Sequence, residues 1–261
     1  MNSLPLSPHK KPPSTALVLK QIYQRLLDAF GPQHWWPAQT KFEVIVGAIL
    51  TQNTNWGNVE KALKNLKREK ILSPQGLHSV STEKLARLIR PAGYFNIKAN
   101  RLKNFMEFFF REYDGSLKKM QADSLEVLRP KLLSVNGIGP ETADSILLYA
   151  LDKPVFVIDA YTKRVLYRHS LSPKDVDYHT IQKLFTDHLS LDTKYFNEYH
   201  ALIVRVAKDY CRTKARCDEC PLKDVSYSLI YRCHSCYRYL PRIGQRFSLK
   251  EDYLCFQCQK K

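Results

Sequence analysis

An apolar run with helical spacing ends at Val135 and passes directly into Asn136-Gly137-Ile138-Gly139-Pro140, after which a second apolar-periodic segment begins. This junction restricts what the chain can build. Two glycines within three positions open backbone conformations closed to other residues, and proline suits the first turn of a helix, where its missing N–H costs nothing. The pattern predicts two helices joined by a tight hairpin. Uncapped N–H groups at the mouth of the second helix, reinforced by its dipole, would make the turn a seat for an anion such as phosphate. A Gly-x-Gly connection can also be only a tight turn between helices, so the reading depends on its surroundings.

The charge balance favours a polyanionic partner. Of 261 residues, 41 are Lys or Arg and 25 are Asp or Glu, a formal net charge of +16, and each phosphate that such a surface neutralises releases counterions. A hydrophobic content of 44% supports a packed core. No apolar run approaches the roughly 20 residues of a membrane span; the best, residues 44–50, is far too short. Residues 1–14 are rich in Pro, Ser and Lys, carry no signal-peptide core and read as a disordered tail. The expectation is a cytoplasmic, nucleoid-associated monomer with no membrane partner.

Apolar periodicity predicts helices over 17–30, 42–50, 58–70, 82–89, 98–112, 124–135, 140–151, 160–167, 182–189 and 195–210. Strand signals are scarce before residue 225. The predicted fold is all-α: two helical lobes with a DNA-binding cleft, one carrying a helix-hairpin-helix motif, plus a small C-terminal Cys₄ zinc ribbon. The expected boundaries are a tail at 1–16, one lobe from 17–40 and 151–229, a second from 41–150, and the ribbon at 230–261. The ribbon rests on Cys233, Cys236, Cys255 and Cys258, two C-x-x-C pairs separated by eighteen residues. That spacing suits a tetrahedral zinc site, and seven cysteines in an apparently cytosolic chain point to metal rather than disulfides.

Several further segments fall in a fixed order. Phe42-Glu43-Val44-Ile45-Val46-Gly47-Ala48-Ile49-Leu50-Thr51-Gln52-Asn53-Thr54 comes first, then Gly93-Tyr94-Phe95-Asn96-Ile97-Lys98-Ala99, then the hairpin, then Val155-Phe156-Val157-Ile158 closed by Asp159. Together, over residues 41–170, they resemble the helix-hairpin-helix glycosylases of the endonuclease III superfamily. Trp35-Trp36-Pro37 ahead of the Leu50-Thr51-Gln52-Asn53-Thr54 turn is most similar to the bacterial 3-methyladenine glycosylases of the endonuclease III type.

The resemblance implies a partner, double-stranded DNA containing a damaged base, and a set of roles. Such enzymes flip the target nucleotide out of the stack. Gln52 occupies the wedge position that fills the hole. Asn136, Gly137, Ile138 and Gly139 offer N–H groups to the phosphate, and Lys163 and Arg164 reach the backbone. Asp159 is the catalytic carboxylate, facing the positive charge that builds on the sugar as the N-glycosidic bond breaks; by itself it also reads as an N-cap for 160–167. Trp35, Trp36, Phe42 and Glu141 line the base pocket, where aromatic faces would favour a cationic alkylated purine. Glu141 also departs from the bifunctional members, which carry a lysine there whose amine attacks the sugar. That departure implies a monofunctional glycosylase. Alternatives are a pyrimidine or mismatch glycosylase/AP lyase of endonuclease III type, and a non-catalytic DNA-binding module.

Related proteins often carry a four-cysteine [4Fe–4S] loop after the last core helix. Here Cys211, Cys217 and Cys220 match three ligands, followed by Pro221-Leu222, and Ser226 stands where the fourth is expected. Three readings stay open. The cluster is lost, which is the reading preferred from sequence; Ser226 or another group is an unusual ligand; or Cys233 is borrowed from the ribbon.

Overall fold

The computed structural model describes residues 14–33, 38–169, 171–223 and 225, with the backbone of 230–232 and 239–241. Apart from one pair of short strands, the regular elements of the described residues are helices, and none of these helices is long and apolar enough to cross a membrane. They fall into two compact units, one drawn from 32–159 and 191–201, the other from 1–31, 160–190 and 202–261.

The first unit is organised around α2 (Lys41–Leu50), in which every residue from Phe42 to Leu50 is buried. Thr40 caps it by accepting from the Glu43 N–H. The Glu43 carboxylate is itself buried, and it is held by Lys67 at 2.7 Å and by the Gln39 N–H at 3.1 Å, which meets the cost of burying its charge. Around α2 lie α3 (Trp56–Arg68), α6 (Phe95–Tyr113) and α9 (Pro140–Ser145). Two short helices, α4 (Pro74–Ser79) and α5 (Thr82–Leu88), start at Ser73 and Ser81, whose hydroxyls accept from the first free N–H groups. After α7 (Leu117–Ala122), α8 (Leu125–Leu133) leads into the predicted hairpin and α9. The latter runs without a break into a wide π-helical turn, Ile146–Ala150.

The unit boundaries differ from the 41–150 expected from sequence. Residues 32–40, 151–159 and 191–201 fall in the hairpin unit. For the last two segments the physical reason is the run Val155-Phe156-Val157-Ile158, buried throughout. Its Phe156 ring meets Phe196 and Tyr199 edge-on, at 5.3 and 5.7 Å between centroids. Both partners stand on the first turns of α12 (Thr193–Asp209).

The second unit contains α1 (Thr15–Phe30), α10 (Ala160–Arg168), α11 (Tyr178–Thr186) and the rest of α12. Phe30 at the end of α1 stacks on Tyr210, centroids 6.1 Å apart, and the Arg205 guanidinium lies 5.5 Å from the same ring. Further on, β1 (Ile230–Arg232) and β2 (Tyr239–Pro241) pair antiparallel, Tyr231 opposite Leu240. These strands bracket Cys233 and Cys236 in sequence, but the four ribbon cysteines lie outside the described residues.

Candidate active site

The hairpin forms as its sequence requires. Gly137 adopts φ +91°, a conformation that strains any side chain, and a Cβ there would collide with the Arg101 side chain. Pro140 opens α9 and Gly139 precedes it in extended conformation. Of the four N–H groups assigned to phosphate, that of Ile138 is already used, donating to the Val135 carbonyl at 3.0 Å. Ile138 itself is 4% exposed and anchors the turn in the core. For Asn136, Gly137 and Gly139 no acceptor of the N–H is present among the described residues. An anion seat at this turn therefore has three backbone donors rather than four. Beneath the turn, Arg129 of α8 forks onto the Asp144 carboxylate of α9, with Nε at 2.7 Å and Nη2 at 3.0 Å. This ion pair ties the two helices together.

Gln52 follows α2 and reaches the hairpin. Its Nε2 donates to the Gly137 carbonyl at 3.0 Å and to Thr142 Oγ1 at 2.9 Å, and its Oε1 accepts from Arg101. A wedge role would require this amide to exchange those partners for DNA. The turn bearing Gln52 is held by Lys98, 1% exposed, whose Nζ donates to the Leu50 carbonyl at 2.9 Å and the Ala92 carbonyl at 2.7 Å. Burial, and then the nearby Arg101 charge, lower the Lys98 pKa from 10.5 to about 8. Sequence reasoning recorded Lys98 within a motif and gave it no task. Tyr94, also given none, opens α6 in left-handed conformation, 67% exposed. It is a large aromatic face presented to solvent.

Asp159 ends the buried extended run and immediately precedes α10, its side chain 14% exposed. Beside it stands a residue that the sequence did not reveal: His200 Nε2 lies 3.7 Å from Asp159 Oδ1. His200 is 5% exposed, and its Nδ1 meets the hydroxyl of Tyr149 from the π-helical turn. Burial, and then the Asp159 charge, push the Tyr149 pKa well above 10.0, so the phenol keeps its proton and can donate it to Nδ1. The imidazole proton is then on Nε2, the atom facing the carboxylate. Tyr149, His200 and Asp159 thus lie in succession, with Nε2 buried 3.7 Å from the carboxylate and making no hydrogen bond among the described residues.

The pocket residues assigned from sequence separate. Phe42 is 5% exposed and stacks on Phe109, centroids 6.4 Å apart. It belongs to the core and not to a base pocket, because α2 is surrounded on every face. Glu141 is exposed in the first turn of α9, where an acid suits the helix dipole. Trp35 and Trp36 lie outside the described residues. In the second unit, Arg164 is turned inward: Nε donates to the Cys211 carbonyl at 2.7 Å and Nη2 to the Ala207 carbonyl at 3.0 Å. It closes the end of α12 rather than reaching for DNA. Lys163 on α10 is half-buried.

Cys211, Cys217 and Cys220 line one cavity of about 290 Å³ in the second unit, together with His169. Cys211 and Cys220 are buried and Cys217 is exposed. Burial pushes the Cys220 thiol pKa up. Ser226 lies outside the described residues.

Comparison with known proteins gives a consistent picture. Residues 46–190 match the HhH-GPD superfamily, base excision DNA repair proteins. A Methanocaldococcus jannaschii protein named as a DNA repair glycosylase is 50% identical over 213 residues, 81% of this chain and 96% of that one. Endonuclease III of Thermotoga maritima is 28% identical, covering 79% of this chain and 91% of the relative. Among solved structures, the Helicobacter pylori 3-methyladenine DNA glycosylase bound to 1,N6-ethenoadenine superposes with a TM-score of 0.62 at 31% identity, covering 75% of this chain and 98% of that one.

Proposed function

Because the chain belongs to the HhH-GPD superfamily of base excision DNA repair proteins, we propose that it hydrolyses the N-glycosidic bond of an alkylated purine flipped from duplex DNA, leaving the strand intact. The observation that carries this reading is Asp159, held at 14% exposure beside His200 at 3.7 Å. As the base departs, positive charge grows on the sugar, and a fixed carboxylate stabilises it without reorganising. The same carboxylate would orient or deprotonate the attacking water. His200 and Tyr149 are positioning residues in this scheme: they keep the carboxylate aimed. The Asn136, Gly137 and Gly139 N–H groups would grip the phosphate beside the flipped nucleotide.

Strand cleavage would need an amine at the sugar. The position after the hairpin holds Glu141, which supplies none, and Lys98 is committed to two carbonyls. Preference for alkylated purines is supported by the Helicobacter neighbour, whose ligand is a modified adenine, and by Trp35 and Trp36, whose faces would attract a cationic base. The second reading, a pyrimidine or mismatch glycosylase with lyase activity, is favoured by the endonuclease III of Thermotoga maritima and opposed by Glu141. In the tail, Cys233, Cys236, Cys255 and Cys258 would hold zinc, with Arg232, Arg238, Arg242 and Arg246 available to phosphates.

The test is base release from duplexes carrying single lesions, read with and without alkali, in the parent and in Asp159→Asn. We expect release of 3-methyladenine or ethenoadenine, breaks only after alkali, no adduct trapped by borohydride, and loss of at least about 100-fold in the variant with lesion binding kept. Release at parental rate by Asp159→Asn, or a trapped adduct, would refute the reading.

A further inference from the structure

We propose that the Arg101 guanidinium is a fourth phosphate-binding group of the hairpin, held by Gln52 in the free protein and released to DNA only when the Gln52 amide leaves for the gap of a flipped nucleotide. The proposal rests on the wedge role assigned to Gln52 and adds the residue that changes partner with it.

The hairpin turn has a place for such a group and is short of a donor. The Ile138 N–H is spent on the Val135 carbonyl, so the backbone alone brings three. Arg101 lies against the same turn. Its Nε is 3.0 Å from the point that a Cβ would occupy at Gly137, and the missing Cβ is what leaves room for the side chain. Asn104, on the same face of α6, donates from Nδ2 to the Asn136 carbonyl at 3.1 Å. One turn before Arg101, Ile97 is 51% exposed. The face of α6 that carries Arg101 therefore runs from open surface to the hairpin.

In the free protein the charge of Arg101 is not matched. It pairs with no carboxylate among the described residues. Its Nη1 donates instead to Gln52 Oε1, an uncharged acceptor. A second cation stands near: after burial, the Arg101 charge is the cause that lowers the Lys98 pKa. A guanidinium bonded to a neutral amide gains by exchanging it for a phosphate, which accepts two parallel, charge-assisted bonds.

Gln52 controls that exchange. Its Nε2 donates to the Gly137 carbonyl at 3.0 Å and to Thr142 Oγ1 at 2.9 Å, and its Oε1 accepts from Arg101. Both amide protons and the carbonyl are in use. Withdrawing the amide strands the half-buried guanidinium beside the Lys98 ammonium, an arrangement that an anion relieves. The two events are thereby coupled: the wedge leaves as the phosphate arrives. Undamaged duplex, on which Gln52 stays in place, meets three donors, and duplex with an opened nucleotide meets four.

The test compares the full chain on two labelled duplexes, one undamaged and one carrying a tetrahydrofuran abasic-site analogue, which already has the gap and holds no base to release. Fluorescence anisotropy gives the affinity over a range of salt. For the parent, the slope of log affinity against log salt should be steeper on the analogue by about one unit, as one more phosphate contact requires. Arg101→Met, which keeps an apolar stem over Gly137, should abolish that difference by flattening the slope on the analogue alone. Gln52→Ala should abolish it the other way, steepening the slope on undamaged duplex by about one unit, because Arg101 is then never held. Should Arg101→Met fold poorly by circular dichroism, Gln52→Ala decides alone. An Arg101→Met protein that keeps the parental difference, or that loses slope equally on both duplexes, would overturn the proposal. So would an undamaged-duplex slope left unchanged by Gln52→Ala. Parent protein that prefers the analogue with equal slopes would overturn this proposal only, whereas parent protein that binds both duplexes alike would take the wedge role of Gln52 down with it.

Discussion

Replacing Arg129 with methionine would remove the guanidinium from a carboxylate that has no access to water. Asp144 is 0% exposed and Arg129 20%, and two hydrogen bonds of 2.7 and 3.0 Å join them. Removing one partner from such a pair typically costs about 3–5 kcal/mol, most of it from stranding the other charge. The residual exposure of Arg129 places the expected loss near the lower limit, about 3 kcal/mol. For chains of roughly this size each kcal/mol moves the midpoint by about 2–4 °C, so Arg129→Met should melt about 6–12 °C below the parent. Arg129→Met combined with Asp144→Leu should recover most of that loss, since an apolar pair of similar volume carries no desolvation cost. Thermal unfolding followed by circular dichroism gives the shift. Fluorescence anisotropy with a labelled duplex should show weaker binding, because α8 and α9 then hold the hairpin less firmly. A single-variant loss below about 1 kcal/mol would mean that the pair behaves like a surface contact and that the hairpin is braced elsewhere.

Gly137→Ala forces a side chain into φ +91° and into the Arg101 side chain; strain of this kind costs about 1–3 kcal/mol, and duplex affinity should fall with stability, so parental affinity in an anisotropy titration would remove Gly137 from the phosphate seat. Lys98 has a folded pKa of about 8 against 10.5: below pH 8 both states are charged and the fold bears the full cost of burying the ammonium, whereas between these values the unfolded chain holds more protons, so stability contributed at this site rises with pH and levels off above 10.5. The stability difference between parent and Lys98→Met should therefore shift in favour of the parent from pH 8 to pH 10, and a difference independent of pH would refute the assignment. Cys255→Ser should lower zinc to well under one per chain, and removing residues 230–261 should flatten the salt dependence of duplex binding by about one unit of slope per lost phosphate contact.

How much the sequence reveals depends on how local each signal is. The hairpin, the long helices and the isolated position of Asp159 are written in adjacent residues: a glycine that must take positive φ, a proline at a helix start, a serine or threonine that caps. The short helices α4 and α7 escape because six residues show less than two turns of periodicity. His200 and Tyr149 escape for a different reason. They lie 51 residues apart and meet only because the run through Phe156 packs on α12, which no local pattern encodes. Phe42 misleads because a residue near a functional turn and a residue in the core carry the same apolar signature; only its stacking on Phe109 decides. The Gln52 amide, bonded at both ends, shows the same limit for polar groups: the side chain is legible, its partners are not.

The wide turn at Ile146–Ala150 makes chain length itself a setting. A regular α-helix advances about 100° per residue, and a π-helical turn takes up one residue more than a regular turn does. A chain one residue shorter between Gly139 and Leu151 could run as unbroken α-helix and still span nearly the same distance. It would then present a different face, and the phenol of Tyr149 would no longer point at His200. In related chains, a single-residue gap at this point would mark an exchange of the group behind the carboxylate of Asp159. Pairing Tyr149 with whatever follows the hairpin by simple counting would match the wrong side chains.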